Sequence, residues 1–419
     1  MSGIKRWLIT GASGAIGLQV IKRLFKDNFS NMEVVASDVR PLPRFLTHKN
    51  LTFMKLDIRS PEATKVVEEG RFDGIIHLAS IVSPGKHSNR EFEYSVDVLG
   101  TKNILEAAIK GNVKQIIVTS SGAAYGYHKD LPDWIPESEP IKGNQVFAYS
   151  WHKKCVEDML EEYRIKHPEL KQLILRPGTI LGDMMKNQIT DLFEKPVVIG
   201  IQGSDSPFVF IWDQDVAEII YQGMMKEKTG IYNLAGDGKV TNYELAKILK
   251  KPLVKIPAKV LAGVLGVLKK MNLTQYGPDQ IDFLKYRPVL DNKNLKAGFG
   301  YVPTYNSKEV LLRYLNPERK FYIYSEQSTL SAQEVFIHSG RLDDLIWESP
   351  IKEEELLDWI SFFEGQRAGK IHVLDQSLGL ANSQISQSPY VKLSTSKEIE
   401  ALKIRLDGQK SYRSLQDKL

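Results

Sequence analysis

Two residues four apart, Tyr149 and Lys153 in Tyr149-Ser-Trp-His-Lys153, give the first suggestion of chemistry. On a helix that spacing puts both side chains on one face, a turn apart. A free phenol, with a pKa of about 10, moves protons poorly at neutral pH, and a neighbouring ammonium favours the phenolate. Such a pair could exchange a proton with an alcohol or a carbonyl, and Lys153 could also hold a ribose. The hydroxyls of Ser120 and Ser121 follow the apolar run Gln115-Ile-Ile-Val-Thr119. A hydroxyl at such a strand end can hydrogen-bond a substrate carbonyl or alkoxide, and Ser120 reads as a turn former.

The glycines of Gly11-Ala-Ser13-Gly14-Ala15-Ile16-Gly17 point to a bound dinucleotide. A pyrophosphate approaches a backbone closely only where no Cβ intervenes, and a helix N-terminus offers it unpaired N–H groups and a positive dipole end. Gly11 would make the turn, Gly14 would admit the phosphates, and Gly17 would let the helix sit against the strand. Asp38 closes the next apolar run about twenty residues on, where a carboxylate accepts both ribose hydroxyls and repels a 2′-phosphate. NAD is therefore expected over NADP, with Arg40, two positions further, as the residue that could reverse the preference.

These residues need a sheet to hold them. From Lys5 to Arg176, short runs rich in Val, Ile and Leu alternate with helical periods, and strands are expected at 5–10, 32–38, 51–56, 73–78, 114–119 and 170–176. Helices are expected over 18–25, 61–69, around 98–108 and from Tyr149 through Leu160. That order predicts an α/β fold, a doubly wound parallel sheet of Rossmann type with ligands beyond the carboxyl ends of its strands. Residues 1–179 would form the dinucleotide-binding domain, with 205–235 returning to it. Residues 180–316, of shorter mixed elements, would make a smaller substrate domain, and 317–419 a C-terminal α/β appendage of unknown role. The appendage holds strand candidates at 321–324 and 370–374, a Gln/Ser-rich loop at 381–388 and a final charged helix. Its amphipathic helix over 352–363 aligns Leu356, Leu357, Ile360 and Phe363 in one stripe, which must pack on its own core, on the dinucleotide domain or on another subunit as a homodimer.

The 419 residues suit two or three domains, and 42% hydrophobic with 26% charged residues describes an ordinary globular chain. A net charge of +5 without a long Lys/Arg run suits an anionic small molecule and gives no argument for nucleic acid. The single cysteine, Cys155, excludes an internal disulfide and fits a reducing cytoplasm. His128, His152 and His167 lack ligand spacing, so no metal is expected. The first strand starts too close to Met1 for a signal peptide. The most apolar segment, 258–268, is too short for a transmembrane segment; with lysines only at its flanks it reads as a core or interface helix rather than one lying on a membrane.

Together these residues resemble the extended short-chain dehydrogenase/reductase family, also called the NAD-dependent epimerase/dehydratase family, from about residue 5 to 316. The likeness is carried by Thr10–Gly17, Leu56-Asp-Ile-Arg59, His77-Leu-Ala-Ser80, Gly100–Ala108, Ser120–Gly126, Tyr149 with Lys153, Arg176-Pro-Gly178, Asp213-Gln-Asp-Val-Ala217 and Tyr232-Asn-Leu-Ala-Gly236. The resemblance implies Tyr149 as catalytic acid/base, Lys153 as its partner and Ser121 as the substrate hydrogen-bonder. It implies that Ser13, Ala15 and Ile16 join the three glycines on the cofactor, that Asp57 and Ile58 meet the adenine edge, that Leu78, Ala79 and Ser80 follow the phosphoribosyl groups, and that Pro177 lies beside them.

The chain departs from the family pattern in ways that bear on activity. Gly122-Ala123 follow Ser121 where dehydratases carry an acidic pair, so elimination of water lacks its acid and base. Pro207-Phe-Val-Phe210 stands where nucleotide-sugar epimerases place an arginine that clamps the substrate diphosphate, although Arg287 falls near a second such position. Asp97 replaces the usual Asn and cannot donate its amide hydrogen bond. The expected activity is hydride transfer between a secondary alcohol or ketone of a small-molecule substrate and the nicotinamide, with net redox turnover set ahead of nucleotide-sugar epimerisation on account of Pro207–Phe210. A catalytically silent, NAD-binding regulatory protein is the alternative from another class.

Overall fold

The computed structural model describes residues 4–27, 31–82, 88–183, 185–271, 277–278, 281–325, 328, 330–339, 341–348, 353–364, 369–374, 387–409 and 412–415. Its first eleven strands are β1 (Lys5–Thr10), β2 (Met32–Asp38), β3 (Leu51–Lys55), β4 (Gly74–His77), β5 (Gln115–Thr119), β6 (Lys171–Pro177), β7 (Thr179–Leu181), β8 (Val198–Ile201), β9 (Phe210–Trp212), β10 (Gly230–Leu234) and β11 (Leu253–Ile256). Seven of them form one sheet in the order β10-β6-β5-β4-β1-β2-β3, with every neighbouring pair parallel. Continuous apolar runs such as Trp7-Leu-Ile9 and Ile116-Ile-Val118 are buried because helices cover both faces. The helices Ala15–Lys26 and Asp213–Met225 pack on one face, and Pro61–Glu69, Thr101–Lys110 and Ala148–Lys166 on the other.

Local chemistry sets these boundaries. Ser60 Oγ accepts the Ala63 N–H at 3.2 Å ahead of Pro61 in the first turn, and Arg23 and Lys26 close the first helix at its negative end. The helix expected around 98–108 begins instead with a π-helical turn, Ser95–Gly100, before its α-helical part. Gly100 ends that turn, and a Cβ there would lie 2.6 Å from Ile58 Cδ1.

The segment between Thr179 and Leu315 forms two small parallel pairs, β7-β9 and β11-β8, and short helices around a core of Phe193, Phe208, Phe210, Trp212 and Leu311. The stretch 258–268, expected as a core or interface helix, is not a core helix of this chain. The helix Ala258–Lys270 buries only Leu261, while Val260, Val264 and Val267 stay 55, 49 and 58% exposed. Leu261, with half-buried Ala262 and Leu265, packs on Ile201 and Ile281, and that contact uses a single face of the helix.

Beyond Pro317, β12 (Arg319–Tyr324), β13 (Asp344–Trp347), β14 (Lys370–Leu374), β15 (Val391–Ser394) and β16 (Tyr412–Ser414) make a second parallel sheet, ordered β15-β14-β13-β12-β16. Most of the loop expected at 381–388 lies outside the described residues. The helix Glu353–Glu364 joins the second sheet and the loop after β2 in one core. Leu356, Ile360 and Phe363 are buried against the second sheet, while the Phe45 ring, in the loop after β2, lies 5.5 Å from Phe336 and 5.8 Å from Phe362. Arg44 Nε donates to Asp358 at 2.8 Å and the Thr47 N–H to Gln333 Oε1 at 2.8 Å along the same seam.

Candidate active site and cofactor cleft

β1 and β4 are neighbours from which the sheet order runs in opposite directions, and the chain opens a cleft beyond their carboxyl ends. Gly11 has φ +70°, and a Cβ there would sit 2.6 Å from the Ala79 nitrogen; one on Gly17 would sit 2.5 Å from the Ala12 carbonyl oxygen. Neither position admits a side chain. Gly14 caps the first helix, and the Leu18 N–H is the first to reach back, to Gly14 O at 2.9 Å. The N–H groups of Ala15, Ile16 and Gly17 thus have no acceptor within the helix and stand at its positive end.

One cavity of about 610 Å³ brings together Gly11, Gly14, Ala15, Ile16, Gly17, Arg40, Leu78, Ser80, Ser121, Tyr149, Lys153 and Pro177. Ser13, Asp38 and Ala79 lie behind its lining. Asp38, nearly buried, accepts the Ser13 N–H at 3.1 Å and the Arg40 N–H at 3.0 Å, so it pins the glycine loop to the end of β2. The Arg40 side chain is 67% exposed, with Nε 3.7 Å from that carboxylate. Asp57 and Ile58 stand further out. The Asp57 carboxylate is closed onto the Arg59 guanidinium, which holds it below the usual carboxylate range, and Ile58 supports Gly100.

The reactive side chains are held by neighbours that the motifs alone do not reveal. Lys153, buried in the helix Ala148–Lys166, donates Nζ to the Thr119 carbonyl at 3.1 Å and stands 5.7 Å from the centre of the Tyr149 ring. Ser150, between them, donates to the Ala123 carbonyl at 2.7 Å, tying this helix to the 3-10 turn Gly122–Tyr125. Ser121 caps the same turn by accepting the Ala123 N–H at 3.1 Å, which leaves its own proton for a ligand. Ser80 Oγ, Thr119 Oγ1 and Ser120 Oγ are buried without a partner among the described residues, and all three residues line the cavity. Orphaned hydroxyls, a glycine turn that excludes Cβ atoms and free helix N–H groups together fit a dinucleotide.

Behind this surface, polar residues lock the strand ends. Thr101 Oγ1 donates to the Asp97 carbonyl at 2.6 Å, so it can only accept from His77 Nε2 at 3.0 Å; His77 Nδ1 then accepts from Thr10 Oγ1 at 2.8 Å. Burial pushes His77 down to about 4, with Lys153 adding to the effect. Asp97, on the π-helical turn, accepts the Ile81 N–H at 2.8 Å and lies 3.4 Å from His152 Nδ1, so here the carboxylate acts as an acceptor that fixes the chain leaving β4. Arg176 forms a two-pronged pair with Glu157, 2.8 Å on each side, and donates to Tyr125 OH, which donates to Asn233. Three motif segments are joined by that knot, outside the cavity lining.

At the other end of the cleft, Tyr127, Phe147 and Phe283 form an aromatic wall with ring centres 5.0 to 5.6 Å apart. Arg287 lies 3.9 Å over the Phe208 ring and donates to Ser206 O at 2.7 Å and Ser206 Oγ at 3.0 Å, while its buried Nε finds no partner among the described residues. Desolvation lowers it to about 10, still charged at neutral pH, and among the described residues none of its hydrogen bonds goes to a carboxylate. No local motif announces Phe147 or Phe283, which meet only in three dimensions.

Residues 7–235 match the sequence profile of the NAD dependent epimerase/dehydratase family. The chain is 28% identical over 334 residues to N-acetyl-alpha-D-glucosaminyl-diphospho-ditrans,octacis-undecaprenol 4-epimerase of Escherichia coli O157:H7, covering 74% of this chain and 94% of that protein. It is 30% identical over 184 residues to UDP-glucose 4-epimerase of Caenorhabditis elegans, covering 40% and 52%. The Thermus thermophilus UDP-glucose 4-epimerase, solved as its NAD complex, superposes with a TM-score of 0.56 at 21% identity, over 74% of this chain and 97% of that one.

Proposed function

The chain belongs to the NAD dependent epimerase/dehydratase family, an enzyme family with NAD as its cofactor, and on that premise we propose that it inverts a secondary alcohol carbon of a sugar carried on a diphosphate. The observation that carries this reading is Arg287. A charged guanidinium without a carboxylate, set in the cleft that also holds Tyr149 and Lys153, asks for an anion, and a substrate diphosphate supplies one. Phe208, in the segment that argued against such a substrate, is the ring beneath that guanidinium.

Tyr149 takes the substrate hydroxyl proton and later returns it. Lys153, fixed by the Thr119 carbonyl, supplies positive charge beside the oxygen, and the free Ser121 proton hydrogen-bonds it as negative charge develops. NAD, when bound, would supply the hydride acceptor and donor for the carbon. Gly11, Gly14, Gly17 and the free N–H groups of Ala15 and Ile16 would hold its pyrophosphate, and Ser80, Thr119 and Ser120 offer hydroxyls along its path. Gly122 and Ala123 provide no acid or base for loss of water, which sets dehydration aside.

Incubation with UDP-linked and polyprenyl-diphosphate-linked sugars, followed by chromatography of the released sugars, tests the reading and separates its two sources of diphosphate. Interconversion of C4 epimers by one class supports it, and Arg287→Met should then raise KM at least about tenfold with kcat changed less. The aromatic wall favours a second reading, net oxidation of a less polar alcohol. Stoichiometric NADH with such alcohols, and no epimer from either sugar class, would establish that one instead.

A further inference from the structure

Val260, Val264, Val267 and Met271 are 55, 49, 58 and 62% exposed. At 100° per residue they fall within an arc of about 60° on the helix Ala258–Lys270 and its cap, centred about a quarter-turn from Leu261, which holds the helix to the body. An apolar stripe of this kind requires a covering surface.

Charge narrows what that surface can be. Residues 250–271 contain Lys250, Lys251, Lys255, Lys259, Lys269 and Lys270 and no acid, more positive charge than the +5 of the entire chain. At 100° per residue Lys259 and Lys270 flank the stripe on one side, about 90–110° from its centre, while Lys269 falls opposite it. Among the described residues none of the six pairs with a carboxylate; Lys251 donates only to the Phe193 and Lys195 carbonyls. A second copy of the chain across a two-fold axis would set these lysines against themselves. Anionic headgroups complement them, while the valines enter the boundary between headgroups and acyl chains. No helix among the described residues is long and apolar enough to cross a membrane. We propose that the helix Ala258–Lys270 docks the protein reversibly, lying flat, on an anionic lipid surface.

The full chain should be sedimented with vesicles of phosphatidylcholine alone and of phosphatidylcholine mixed with phosphatidylglycerol. Binding at least about tenfold stronger to the anionic vesicles, reversed by high salt, is expected. Val264→Glu with Val267→Glu changes two exposed positions and should cut the bound fraction about tenfold, as should Lys259→Glu with Lys270→Glu. NAD binding by each variant verifies that it is folded. Equal binding to neutral vesicles, no binding to either, or unchanged binding by the valine variant would overturn the proposal. So would a valine variant that turns a dimer into a monomer while the parent ignores vesicles, since a second copy would then cover the stripe.

Discussion

Among individual residues, the account distinguishes groups that move protons from groups that only hold them. Tyr149→Phe removes the proton carrier alone, so turnover should fall at least about a thousandfold while NAD affinity, measured by calorimetry, stays within a few-fold. Lys153→Ala should damage both, because Lys153 bonds to Thr119 in the cofactor cleft as well as attending Tyr149. Near-normal activity in Tyr149→Phe would remove it from the chemistry. His77 makes a prediction of a different kind. Unfolded it titrates near 6.5 and folded at about 4, so between those values the unfolded chain binds the extra proton. Stability should be complete above pH 6.5 and be lost as pH falls toward 4, by on the order of 3 kcal/mol. Urea unfolding at pH 7 and pH 5 checks the sign, and His77→Gln should flatten the difference. That Tyr149 and Lys153 share a helix face was legible in the sequence because their spacing is local, and Ser121, singled out by the family resemblance, lines the same cavity. The tying of Asp38 to the Ser13 and Arg40 backbones was not, since it needs the loop's fold. That geometry leaves Arg40 at the cleft lining, and titration of NAD against NADP decides whether its charge matters.

Among the elements, the βα order predicted the first six strands to within a residue or two, because strands buried on both faces read as unbroken apolar runs. The glycine turn was equally legible: three glycines meet three steric demands, and two of them are backbone contacts under 3 Å. Gly17→Ala should therefore push the first helix off Ala12 and weaken NAD binding at least about tenfold, a loss of about 1.4 kcal/mol or more, which calorimetry would measure. Retained affinity would mean that the helix start adapts freely. Whether the helix Ala258–Lys270 belonged to the core was not legible, because composition cannot tell a stripe that is covered within the chain from one that is not. The π-helical turn was missed because no local pattern over residues 95–100 distinguishes it from the α-helix that follows.

Across the whole molecule, the appendage after Pro317 is coupled to the cofactor region through the loop that follows β2. Phe45 and Leu46 share a core with Phe336, Leu356 and Phe362, so cutting at 317 would expose them to water. The truncated chain should still bind NAD, since the appendage supplies none of the cleft lining, yet melt lower and aggregate at concentrations where the full chain does not. Failure of a folded truncation to bind NAD would show that the appendage acts on the cofactor site through residues 41–47. The wall of Tyr127, Phe147, Phe283 and Arg287 also belongs to this scale: it joins residues more than a hundred apart in sequence, which is why the sequence suggested Arg287 but not the rings beside it.

On the proposed reading this cleft removes and returns a hydride at one carbon of a diphosphate-linked sugar, with Tyr149 handling only the hydroxyl proton. Proton NMR of the reaction run in D2O tests it most directly. The account predicts an inverted epimer that keeps protium at the inverted carbon, because the hydrogen comes back from the cofactor and not from solvent, and no epimer from Tyr149→Phe. Deuterium at that carbon, or a silent spectrum with both UDP-linked and polyprenyl-linked sugars, would contradict it.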